Sequence, residues 1–327
     1  MLKLKYLFNN LDLTEMILKN WDFDQSSMEM FKYYRISSNA IYPFQCDGET
    51  RFLRYAPKSE KLKSNAQAEL EFITYLRAHQ YGSLEPIQSK YGEELVEVAT
   101  PWGEYYASVF KCVPGMQISH TECSDNIIFS YGKALGKLHH LSSQYKNNKQ
   151  SKWSYGDVLV WVEDVLGRFP GQEAAINEIN ILENFFSSIL KSERNFGLIH
   201  YDFEFDNVFF DEETNSCYVI DFNDAMYHWY AMDIVQALDD LQENTSIELF
   251  HQKKECFING YLTEYDIPNN VDELMLACRR FAKLYGYARI QRSIAEKWEN
   301  EPDWLVTLRG KLDYSLKEKA TSFGTAL

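Results

Sequence analysis

Apolar residues follow two rhythms along this chain, and the change between them divides it in two. From residue 31 to 56 they alternate with polar ones as in half-buried strands: Phe31-Lys32-Tyr33-Tyr34-Arg35-Ile36, Ala40-Ile41-Tyr42-Pro43-Phe44 and Arg51-Phe52-Leu53-Arg54-Tyr55. Ser37-Ser38-Asn39 predicts a small polar turn, and Cys46-Asp47-Gly48-Glu49 a tight hairpin with Asp-Gly at its centre. Tyr106 to Phe110 reads as a buried strand, broken by Lys111-Cys112-Val113-Pro114-Gly115. Beyond that break a helical spacing takes over, with Ile127, Ile128, Tyr131, Leu135 and Leu138 forming one stripe. Similar periodicity predicts helices at roughly 11–20, 124–146, 156–168, 173–193, 231–243, 246–264, 271–296 and 303–319. A further helix follows the third strand, with Leu70, Ile73 and Leu76 near one face and Glu69 and Glu71 alongside. Strands are expected in 31–110 and again in 207–222. The expected molecule is α+β: a small β-rich lobe (1–110), a connection (111–115) and a larger, mainly helical lobe (116–327), with a site between the lobes.

Composition narrows the class. A chain of 327 residues and 38.4 kDa can bury a large core and would usually divide into two lobes. No apolar stretch approaches a membrane span, and Met1-Leu2-Lys3-Leu4-Lys5 turns polar too soon for a signal peptide. Six cysteines without paired or C-x-x-C spacing predict reduced thiols and a cytoplasmic protein. A formal charge of −15 argues against nonspecific nucleic-acid binding, which needs cations for the phosphates.

The densest chemistry lies in His200-Tyr201-Asp202-Phe203-Glu204-Phe205-Asp206-Asn207 and in Tyr218-Val219-Ile220-Asp221-Phe222-Asn223-Asp224. Val208-Phe209-Phe210, a polar turn and a second apolar strand would bring Asn207 and Asp221 together beside Asp202. Phosphoryl transfer needs such a set: one carboxylate to take a hydroxyl proton, and an amide oxygen plus a second carboxylate for magnesium. His200 would sit in the turn and brace the backbone that holds Asp202. A calcium loop fits less well. Asp202, Glu204, Asp206 and Glu213 fall at positions one, three, five and twelve, but the sixth position, which wants Gly, is Asn207.

His200-x-Asp202-x-x-x-x-Asn207 followed by Ile220-Asp221-Phe222 resembles the aminoglycoside phosphotransferase and choline kinase family, the small-molecule branch of the protein-kinase-like fold. On that resemblance Asp202 is the catalytic base, Asn207 and Asp221 are magnesium ligands, and Asp233 supports the catalytic loop from the next helix. Arg54 would stand over the nucleotide phosphates, paired with Glu69 or, in reserve, Glu71. Ser38 and Asn39, in a stretch matching the family's Asn-x-x-Tyr through Asn39 and Tyr42, would cover the nucleotide. Phe110 and Cys112 flank the connection whose backbone meets the adenine. Two departures are visible: Tyr201 and Asn223 stand where the family often has Gly.

The implied activity is an ATP- and Mg2+-dependent kinase acting on a hydroxyl of a small molecule such as an amino alcohol, aminoglycoside or sugar. Candidate substrate contacts are Asp224, Tyr227, Trp229 and Arg289. Aromatic residues near an acid suit a protonated amine, whereas Arg279, Arg280, Arg289 and Arg292 suit an acidic substrate, so both classes stay open. The −15 charge serves solubility and would also attract amines. Two other readings share these residues: a stress-response-type Ser/Thr protein kinase of the same fold, and a non-catalytic nucleotide-binding relative.

Overall fold

The structure is a computed structural model that describes residues 1–146, 152–267 and 271–327. Its N-terminal lobe is built on an antiparallel sheet of six strands: β1 (Arg35–Ile36), β2 (Ala40–Cys46), β3 (Glu49–Pro57), β4 (Pro86–Ile87), β5 (Val96–Thr100) and β6 (Gly103–Lys111). Their order is β1-β2-β3-β6-β4, with β5 also paired to β6. The β2–β3 hairpin closes at Asp47 and Gly48, whose φ values of 55° and 76° are those a two-residue hairpin turn requires. Helices α1 (Leu11–Leu18) and α2 (Lys63–Ala78) flank the sheet, and α2 buries Glu69, Leu70, Ile73 and Leu76.

Residues 31–34 are not the strand that alternation predicts. A 3-10 segment spans Gln25–Tyr33, and pairing is confined to Arg35–Ile36. Ser27 and Phe31, four residues apart, face inward, and the Phe31 ring meets Tyr42 edge-on at 5.6 Å. Tyr33 is 68% exposed, so the apparent alternation has no second buried position to anchor a strand.

The C-terminal lobe contains β7 (Met116–Gln117), α3 (Asp125–Gln144), α4 (Tyr155–Leu166), α5 (Glu173–Ser188), β8 (Phe196–Ile199), β9 (Val208–Asp211), β10 (Ser216–Val219) and β11 (Met226–Trp229). It continues through α6 (Ala231–Asn244), α7 (Ile247–Leu262), α8 (Val271–Ile294) and α9 (Asp303–Ala320). Helices α3 and α7 touch backbone to backbone: a Cβ on Gly132 would lie 1.9 Å from the Phe257 carbonyl oxygen, and one on Gly260 2.0 Å from that of Phe129. Only glycine permits that approach. No helix among the described residues is long and apolar enough to cross a membrane.

Two short ribbons position the chemistry-bearing loops. In one, β8 pairs antiparallel with β11, with Ile199 opposite Met226. In the other, β9 pairs with β10, with Val208 opposite Val219. Residues 200–207 and 220–225 therefore run side by side, each clamped at both ends.

Candidate active site

Loop 200–207 is held from several directions. The carboxylate of Asp233, fully buried on α6, accepts the His200 N–H at 2.9 Å and the Tyr201 N–H at 2.8 Å. His139 Nε2 lies 3.2 Å from the same carboxylate, and His139 Nδ1 lies 2.9 Å from the Tyr261 hydroxyl. Tyr131 donates to the Phe203 carbonyl at 2.6 Å, Gln236 to that of Tyr201 at 3.0 Å, and Asp240 receives the Phe205 N–H at 2.6 Å. These contacts hold Tyr201 in left-handed backbone, φ 64°, a conformation costly for a residue with a side chain.

His200 ties the two loops together. Its Nε2 donates to the Ile220 carbonyl at 2.8 Å, which leaves Nδ1 to accept the Asp202 N–H at 3.2 Å. Burial lowers the imidazole pKa, so the ring stays neutral and this tautomer is retained. A second tie runs from the Ile220 N–H to the Asn207 carbonyl at 2.9 Å.

Asp202, Asn207 and Asp221 converge in the space that results. The Asn207 amide nitrogen donates to both the carbonyl and the carboxylate of Asp202 at 2.9 Å, turning its amide oxygen the other way. Burial, and then Glu204, Asp224 and Asp221, push the Asp202 carboxyl up to about 8, against the pull of Arg289. Asp221 stands in left-handed backbone (φ 62°, ψ 59°) and keeps Oδ1 buried without a hydrogen-bond donor. A buried carboxylate oxygen left unpaired is costly, and a cation would satisfy it. Arg54 Nη1 stands 4.0 Å from it.

Arg54 reaches down from β3. It donates to Glu69 at 2.7 Å, and its guanidinium lies 4.7 Å from the centre of the Phe110 ring. Burial alone would raise the Glu69 pKa, but Arg54 outweighs it and the carboxylate stays ionised. The pair joins the sheet to α2, as the sequence leads one to expect for Glu69; Glu71 is only half-buried. Asn39 is buried and lines a small cavity together with Arg54 and Glu69. Cys112 is exposed at the end of β6, its N–H donated to the Thr50 carbonyl.

A larger cavity of about 160 Å³ opens between the lobes beside Asp224. Arg289 on α8 crosses to it, donating to Asp224 at 2.7 Å and to the Ser38 hydroxyl at 3.0 Å, which links the helical lobe to the β1–β2 turn. Burial opposes the Asp224 charge, but Arg289, then the Met1 amine and Lys61, hold its pKa well below the usual carboxylate range. Lys61 and Lys152 both donate to Asn223, to its side-chain oxygen at 2.6 Å and its carbonyl at 2.7 Å. Neither lysine stands out in the sequence, because nothing in its local pattern separates it from a surface lysine. Trp229 lies elsewhere: it is fully buried and stacks on Phe186 at 4.7 Å, since its place in β11 turns it into the core. Tyr227, in the same strand, is half-buried opposite Leu198 and donates its N–H to the Trp153 carbonyl at 2.8 Å.

A sheet-based lobe over a helical lobe, with a buried Arg–Glu pair above an Asp/Asn/Asp cluster, defines a protein of kinase-like fold. The chain belongs to the phosphotransferase enzyme family, whose model matches residues 36–265. It is 22% identical over 217 residues to an amicoumacin kinase of Bacillus subtilis (strain 168), a match covering 64% of this chain and 62% of that protein. A probable choline kinase 3 of Arabidopsis thaliana is 31% identical over 130 residues, covering 34% of this chain and 36% of its own. Among solved structures, an amicoumacin kinase in complex with AMP-PNP, Ca2+ and Ami superposes with a TM-score of 0.76 at 16% identity, covering 98% of this chain and 97% of that one. A microcompartment-associated aminopropanol kinase superposes at 0.70 with 17% identity, covering 95% of each. At those identities the structural likeness establishes the fold.

Proposed function

We propose that this protein is a magnesium-dependent kinase that moves the γ-phosphoryl group of ATP to a hydroxyl of a small molecule. The observation that carries this reading is the meeting of Asp202, Asn207 and the unpartnered Asp221 oxygen on two clamped loops facing the Arg54–Glu69 pair. Adenine nucleotides bound to two kinases of this fold support the choice of donor: AMP-PNP is held by the amicoumacin kinase, and ADP and AMP by a spectinomycin phosphotransferase.

In this reading Asp202 receives the acceptor's hydroxyl proton as the oxygen bonds to the γ-phosphorus. The bond from that phosphorus to its bridging oxygen breaks, and ADP leaves with the electron pair. His200 and Asp233 do not touch the reactants; they hold the backbone of Asp202 so that little reorganisation is left for the transition state. Arg54, kept rigid by Glu69 and Phe110, offers its remaining N–H groups to the donor's phosphates. Ser38 and Asn39 cover them from the β1–β2 turn, and the backbone at 110–112 meets the base. The Asp221 carboxylate and the Asn207 amide oxygen would hold magnesium, which supplies charge neutralisation at the phosphates. Asp224 and Arg289 border the acceptor's space.

A coupled assay of ADP formation, with amino alcohols, sugars, hydroxy acids and aminoglycosides as acceptors, tests the proposal. Turnover should require magnesium, respond to one acceptor class, and fall by about 10²–10⁴ in Asp202→Asn, the usual range for a general base. Equal rates in the two proteins would remove Asp202 from the chemistry.

A further inference from the structure

We infer that the cavity beside Asp224 receives a carboxylate group of the acceptor, with Lys61 as the cation that meets it. The inference deepens the kinase reading above and rests on it.

The charge around the cavity departs from that of the chain. The whole protein is formally −15, which would favour an amine. Three acids line the cavity among the described residues, Glu60, Glu69 and Asp224, and each already faces an arginine. Arg292 meets Glu60 at 2.5 Å, Arg54 meets Glu69 at 2.7 Å and Arg289 meets Asp224 at 2.7 Å. No carboxylate lining the cavity is left uncompensated for a substrate ammonium.

Lys61 is the opposite case. Its Nζ reaches the Asn223 amide oxygen at 2.6 Å, and no ion pair among the described residues includes it. An ammonium has three N–H groups, and a neutral amide oxygen occupies one. Burial pulls the Lys61 pKa down to about 8, and the opposing pull of Asp224, itself paired with Arg289, does not offset it. Lys152, on the far side of Asn223, adds a second positive charge to the same wall. A carboxylate against Lys61 would restore the balance that burial disturbs.

Of the aromatic residues lining the cavity, Tyr285 already carries the Arg289 guanidinium 5.1 Å from its ring centre, whereas Trp153 and Trp161 pack on each other at 6.5 Å and make an amine the rival that the matched pairs below test against. Asp224 and Arg289, which line the cavity, also act electrostatically on Asp202. Lys61 also lines the smaller cavity with Asn39, Arg54 and Glu69, so the nucleotide phosphates are the rival anion, and the MgADP titration below separates the two.

The test uses the full chain saturated with MgADP and follows calorimetric binding of two matched pairs, glycerate against glycerol and serine against ethanolamine. Each acid should bind at least about tenfold more tightly than its partner, the work of roughly one charged contact. Lys61→Met should abolish that preference, Lys61→Arg should retain it, and MgADP affinity should stay within about twofold in both. Far-UV circular dichroism identifies a variant that has not folded, and Lys61→Arg then carries the comparison. Equal binding of acid and partner, no binding of either acid, or a Lys61→Met effect confined to MgADP would overturn the inference. Binding needs no turnover, so this result is independent of whether Asp202→Asn kills activity.

Discussion

Replacing Asp202 with Asn should stabilise the protein while removing its activity, and the gain should grow with pH. The Asp202 carboxyl is pushed from 3.8 up to about 8, by burial first and by Glu204, Asp224 and Asp221 after it. Between those values the folded protein holds a proton that the unfolded chain has released. The stabilising contribution is therefore complete below about pH 4 and is lost as pH rises through about 8. At ~1.36 kcal/mol per pH unit, the interval amounts to at most about 6 kcal/mol. Interior polarisation and water penetration reduce that figure, leaving ~2–5 kcal/mol. Asn cannot ionise, and its oxygen can still accept the Asn207 amide that now sits 2.9 Å from the carboxylate. Urea unfolding of nucleotide-free protein at about pH 5 and about pH 9 measures the difference. The variant should be more stable than the parent by ~1 kcal/mol at the lower pH and by ~2–5 kcal/mol at the higher. A difference that stays flat with pH, or reverses, would show that Asp202 does not carry an uncompensated buried charge.

Two further substitutions separate positioning from binding. Asp221→Asn should weaken magnesium-dependent nucleotide binding by about tenfold or more, because an amide replaces the carboxylate whose Oδ1 is buried without a donor. Titrating the nucleotide with and without magnesium reads this directly, and an unchanged magnesium dependence would contradict it. Asp233→Asn turns an N–H group toward a backbone donor in a fully buried site, at a cost of ~1–3 kcal/mol for the bond lost. Unfolding should occur at lower denaturant, and kcat should fall more than KM rises; a lost KM with intact kcat would place Asp233 in substrate binding instead.

Much of the site was legible because its parts are close in sequence. Asp202 and Asn207 share one loop, and a single hairpin, β9–β10, returns the chain to Asp221, so spacing alone brings the three together. The Arg54–Glu69 pair is also local, joining adjacent elements fifteen residues apart. What spacing could not supply was the second ribbon. Strands β8 and β11 are four residues each, and their pairing is visible only once residues 196–199 and 226–229 meet in space. Without that ribbon the aromatic run from Tyr227 to Tyr230 looks like a binding surface, whereas Trp229 and Tyr230 are fully buried. The Phe31 stretch misleads for a related reason, since apolar residues alternate there without a second buried face. Lys61 escaped notice because burial, not sequence, distinguishes it: the connection between β3 and α2 carries it into the cleft against Asn223. Asn223 itself, a departure from the family's usual Gly, gains its role from two lysines that arrive from distant parts of the chain.

Following the γ-phosphoryl group of labelled ATP tests the central claim most directly. Wild-type protein with magnesium and a responsive acceptor should deliver the label to that acceptor's hydroxyl, and Asp202→Asn should leave it on ATP. Label recovered on the protein itself, or moved at the same rate by both proteins, would contradict the account.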